Sequence, residues 1–242
     1  MTDTLTQISN GMPGEPLPYQ LQSDSMVTII MFLCLITVSI IFSRGKKHLL
    51  QELKNFTQNR ERNSMFDDIV ATDARHTIVL ILHTCVMLGI SAFYFISQTT
   101  PAILSKVSRP LLLGGLIFLI LTFTLIKWSA YCFVNSLFFQ KVRNKLWMTA
   151  FFNLYIWLGI LILPLLLVVI YFDISSPIAL FMLAFPLILA KICLFWKCFS
   201  NFFEKIYGAF HLILYFCALE ILPDLILWKG MELISNILIF KL

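Results

Sequence analysis

Six stretches of this chain are apolar for long enough to cross a lipid bilayer, and no other feature constrains its fold as strongly. They cover about residues 25–43, 77–97, 110–126, 148–172, 177–196 and 206–228, and a spanning helix needs about 20 mostly apolar residues. Composition points the same way. Of the 242 residues, 59% are hydrophobic and 13% charged, against about 45–50% and about 25% in soluble domains. With a mean hydropathy of +0.87, the chain has too little polar surface to be wetted, so the excess must face lipid. The expected fold is all-α: a polytopic transmembrane bundle of about six spans, forming one domain over 25–242 behind a polar tail over 1–24.

The tail, MTDTLTQISNGMPGEPLPYQLQSD, holds no Lys or Arg and no apolar run, so no cleavable leader is expected. The other long polar stretch covers 44–76. In it Leu49, Leu50, Leu53 and Phe56 recur at helical spacing among basic residues. This is an amphipathic loop helix, either lying at the lipid headgroups or extending the first span into water. The third apolar run continues past Lys127 to Phe139, about 30 residues in all, too long for one simple span. It either tilts and protrudes or bends near Lys127 and follows the interface, where rings such as Trp128 and Tyr131 are favoured.

Charge sets the orientation. With Lys127 and Lys191 counted by proximity, 14 of the 18 Lys and Arg residues fall on the side of loop 44–76, and Lys106, Arg109, Lys229 and Lys241 on the other. Basic loops mark the cytoplasmic side, so both termini of a six-span chain are expected to be periplasmic, in a bacterial inner membrane. No basic patch is interleaved with polar helix as a nucleic-acid reader needs; the expected partners are membrane lipid and other membrane-protein subunits.

Inside the spans, a few residues cost too much to be filler. Glu220 lies nine residues before Lys229, about 13 Å from the outer boundary, where a charge costs at least about 2.5–3.5 kcal/mol. Either it is protonated or it faces a partner. Asp224 follows one turn later on the same face, and Pro223 removes a backbone donor between them. Lys191 in the fifth span either reaches Glu220 or snorkels to the surface. His211 and Tyr215 share a face of the sixth span and complete the intramembrane polar set. Pro164 and Pro186 are expected to break two further spans, while Gly114, Gly115 and Gly159 permit close helix contact.

Known chemistries find little support. The six cysteines sit in apolar runs without metal spacing. His76 and His83 share a face, but no pattern fixes a haem or metal with His211, and no cofactor is expected. No Ser with Lys or His, aspartyl or HExxH arrangement appears in the spans. In the first loop Arg60, Arg62, Asp67, Asp68 and Arg75 form a loose interaction set with Asp73 and His76 that matches no catalytic spacing.

Two stretches carry a resemblance. They are KVRNKLWMTAFFNLYIWLGILILPLLLVVIYF (141–172) and FHLILYFCALEILPDLILWK (210–229), the second with a Y-x-C-x-LEILP core. Together they resemble an uncharacterised domain-of-unknown-function family of multi-pass inner-membrane proteins from Bacteroidota, over about 25–235. Asp224 stands where that pattern would have an apolar residue. The resemblance implies location and topology, not chemistry. The leading expectation is a non-catalytic subunit or scaffold of a cell-envelope biogenesis or secretion assembly. The alternative is a small ion- or proton-coupled carrier using Glu220, Lys191 and His211, and the third a lipid-modifying enzyme.

Overall fold

The computed structural model describes residues 21–57, 70–100, 104, 107–138, 141–172, 174–202 and 214–241. Among these there is no strand. The long helices are α1 (Ser25–Thr57), α2 (Val70–Thr99), α3 (Arg109–Phe138), α4 (Lys141–Tyr171), α5 (Ser176–Phe202) and α6 (Leu222–Lys241), the last preceded by a π-helical turn, Cys217–Ile221. Helix α1 begins at Asp24, whose carboxylate accepts the Met26 N–H at 3.0 Å while its carbonyl accepts the Thr28 N–H at 3.1 Å. That satisfies donors which the first turn would otherwise leave open.

Five helices are long and apolar enough to cross a membrane, over Ser25–Ser43, Arg75–Thr99, Arg109–Leu137, Trp147–Tyr171 and Ser176–Phe199. The protein is therefore a multi-pass integral membrane protein. The sixth expected span begins in residues 203–213, outside the described residues; from Leu214 onward its backbone is helical. The stretch up to Thr57 is a continuation of α1, with 58–69 outside the described residues. Helix α3 runs unbroken through Lys127 to Phe138.

Two other expectations change. Helices α4 and α5 continue through Pro164 and Pro186, so neither proline ends a span. Each removes one N–H, and the rest of the ladder carries the helix on. Gly114 and Gly115 face outward, with open space where a side chain would begin. Gly159 does make the expected close approach, and Gly89 makes another. A Cβ on Gly159 would lie 2.9 Å from the Thr84 Cα of α2 and overlap its hydroxyl; one on Gly89 would come within 2.5 Å of Ile117 on α3.

Helix α4 sits at the centre, packed closely against α2 and α5, with α2 also packed on α3. Successive helices run in opposite directions, so the bundle has two ends. At one, Val27 and Met31 (α1), Met87, Ile90 and Phe93 (α2), Leu113 (α3), Leu166 (α4) and Leu183 (α5) form a dry core. At the other, Tyr131, Trp147, Phe151, Leu194, Cys198, Phe216 and Leu219 pack together. Large side chains that point outward, such as Phe32, Phe118 and Phe181, suit a lipid-facing surface.

Candidate functional site

The second end of the bundle carries a polar seam along one face of α3. Thr124, Lys127, Tyr131 and Asn135 follow each other at spacings of three, four and four, and all are buried. That spacing aligns side chains on one face. Their partners lie on α2, α4 and the last span. Thr124 Oγ1 meets Tyr155 Oη of α4 at 2.9 Å, and Cys85 of α2 adjoins both. Asn135 accepts from Tyr215 Oη at 2.7 Å and donates to Asn144 Oδ1 at 3.2 Å. Tyr131 Oη donates to Glu220 Oε1.

Lys127 anchors the centre. Its Nζ donates to Glu220 Oε2 at 2.6 Å and to Asp224 Oδ1 at 3.2 Å, and lies 5.7 Å from the centroid of the Phe123 ring. From α5, Lys191 Nζ pairs with the same Glu220 oxygen and with Asp224 Oδ2 at 2.6 Å. Two ammonium groups and two carboxylic side chains thus close a ring drawn from three helices. Glu220 is fully buried and meets three donors. The ring is charge-balanced, and that balance is what makes it tolerable: an unpaired charge in a low-dielectric interior costs several kcal/mol, while a complete and hydrogen-bonded set offsets most of that penalty.

The local backbone explains how Glu220 reaches inward. In the π turn Cys217–Ile221, the Leu222 N–H bonds the Cys217 carbonyl five residues back. This widened turn precedes Pro223, which lacks an N–H to continue an α-helical ladder. Such turns alter the facing of side chains and recur at functional sites. Here Glu220 and Leu219 are buried while Ile221 and Leu222 are exposed.

The structure therefore brings Glu220, Asp224 and Lys191 into one cluster. Tyr215 joins the neighbouring Asn135 pair instead, and His211 lies outside the described residues. So do Arg60, Arg62, Asp67 and Asp68 of the first loop; Arg75 is exposed at the start of the second span. Lys127 and Lys191 are not loop charges, so removing these two from the fourteen leaves twelve of eighteen on the basic side. Sequence reading missed Lys127, Tyr131 and Asn135. Tyr131 in particular is fully buried rather than at an interface. The signal was present in the three-four-four spacing of polar residues in an otherwise apolar run.

One buried polar residue stands apart. His83 of α2 is buried, with neither ring nitrogen in full hydrogen-bond geometry with a described residue, and the Gly159 backbone faces it. Among the described residues no three His, Cys, Asp or Glu side chains converge as a metal site.

Neither the curated proteins nor the solved structures gave a match to this chain. A family model did: it matches residues 27–231 and is described as a domain of unknown function, DUF4271. The buried acid and its widened turn fall inside that stretch, and the chain belongs to the DUF4271 family.

Proposed function

We propose that this protein is a non-catalytic membrane subunit or scaffold, built to hold its last helix in a fixed place and to present that helix to partners. The observation that carries this reading is the closed ring of Lys127, Glu220, Lys191 and Asp224. Each ammonium group meets both acids, and the fully buried acid meets three donors. A carrier needs a site that opens to exchange its cargo. This ring is saturated on its inner side, and the polar seam along α3 stops at Thr84, Cys85 and Thr124. Beyond them the buried polar groups of α2 are the hydroxyls of Ser91 and Ser97, each donating to a carbonyl of its own helix, an arrangement that favours a fixed bundle over an exchange site.

In this reading the membrane is a bacterial inner membrane with both termini periplasmic, and the assembly one of cell-envelope biogenesis or secretion. The excess of twelve basic residues on one side against four on the other supports the orientation. Gentle-detergent purification of the full chain from its native membrane, followed by mass spectrometry, tests the role. A stoichiometric protein complex is expected, with Glu220→Gln weakening it. A lone chain that supports pH-dependent solute uptake, altered by Glu220→Gln, would overturn the subunit reading in favour of the carrier.

A further inference from the structure

The ring is closed on its inner side but not on its outer one. Lys127 and Glu220 are buried, whereas the Lys191 and Asp224 side chains are 36% and 39% exposed. Their surroundings on that edge are apolar: Ile192 on α5, and Ile221, Leu225 and Trp228 around the last helix, are all outward-facing. Lys191 lies fifteen residues in from Ser176, about 22 Å along the helix, well inside the hydrocarbon layer. Polar groups at that depth are expensive against acyl chains and normally face protein or water.

Donor counting shows what the edge lacks. An ammonium has three protons and a carboxylate about four acceptor positions. Lys191 Nζ uses two on Glu220 and Asp224, and Asp224 uses one acceptor position on each oxygen. Lys191 therefore has one proton left to donate, and Asp224 about two acceptor positions left to fill, on the exposed side. Because the two groups touch, they lie at one depth. A twofold axis along the membrane normal preserves depth, and twofold pairing of identical chains is the commonest assembly. Such an axis sets Asp224 of one copy opposite Lys191 of the partner subunit, and the reverse.

We propose that the Lys191–Asp224 edge of α5 and the last helix is the docking surface for a second copy of this chain, with reciprocal Lys–Asp contacts excluding lipid. The proposal deepens the subunit reading and rests on it for the premise that this edge meets protein. A benzophenone amino acid in place of Trp228, one turn beyond Asp224, and in place of Phe32 on α1 provides the test. Both positions are exposed. The full chain is irradiated in native membranes, and labelled copies are counted by photobleaching in dilute phospholipid vesicles.

The expected result is a covalent species of twice the chain's mass from position 228, none from position 32, and two bleaching steps. Asp224→Asn should then weaken association by about tenfold or more. Cross-linking of position 228 to a different protein, with one bleaching step, overturns the second copy as occupant and leaves the subunit reading standing. Lipid adducts alone, with one bleaching step, overturn both.

Discussion

The two ends of this bundle are held together by different forces. Where the dry end begins, at the limit of the polar seam, α2 and α4 meet through Gly159, which lets Thr84 lie against the backbone, and Thr84 Oγ1 reaches both its own Leu80 carbonyl at 2.9 Å and the Tyr155 carbonyl at 3.2 Å. At the polar end, α3, α5 and the last helix meet through a ring of four charged side chains. The contrast follows from the solvent. Lipid tails are as apolar as leucine, so burying leucine against leucine gains little in a membrane. What remains is contact close enough for dispersion forces, or polar bonds that lipid cannot replace. The central helix uses the first; the last helix, exposed along Ile221, Leu225, Ile226 and Trp228, depends on the second.

If that division is correct, the largest effect belongs to the buried acid. Glu220→Ala leaves Lys127 and Lys191 with only Asp224 between them. Removing one member of a buried ion set costs about 3–5 kcal/mol. Reversible denaturation in mixed micelles should show that loss, with the last helix becoming open to protease before the dry end unfolds. Simultaneous unfolding of both ends would erase the distinction.

Next comes Gly159→Ala. Its methyl has no room against Thr84, and overpacking of this kind costs about 1–3 kcal/mol. The damage should appear at α2–α4, read as faster hydrogen exchange there, and leave protease resistance of the last helix intact. Tyr131→Phe is of comparable size, removing one donor from a buried acid that keeps two ammonium partners; a loss of about 1.5–3 kcal/mol is expected from the same denaturation measurement. The smallest effect belongs to Gly114→Ala. That position faces open space inside a helix, so alanine should stabilise by about 0.5–1 kcal/mol. A destabilisation there would mean that this glycine meets a neighbour after all.

Most of the fold was legible in the sequence, because hydropathy reports a property that the membrane itself imposes. Apolar runs of the right length marked six spans, and five of them are span-length apolar helices among the described residues; the acid at 220 stood out against its surroundings. What was not legible was direction around each helix. Gly114, Gly115 and Gly159 look alike as letters, yet one meets a neighbouring backbone and two meet nothing, because rotation of a uniformly apolar helix is set by packing. Lys127 was hidden for a related reason. A lysine near the end of a long apolar run looks like an interfacial anchor, and only the contact with Glu220 shows that α3 carries it inside. The prolines at 164 and 186 misled in the opposite sense, since losing one backbone bond is too small a change to end a helix whose other bonds have no water to exchange with.

The central claim is that the acid of the last helix and the lysine of α3 act as one unit. A double-mutant cycle with Lys127→Met, Glu220→Met and the pair, measured by denaturation of the full chain in micelles, tests it most directly. The account predicts that the double variant is more stable than the sum of the two losses allows, by on the order of 2 kcal/mol. Losses that add to within about 0.5 kcal/mol would contradict it.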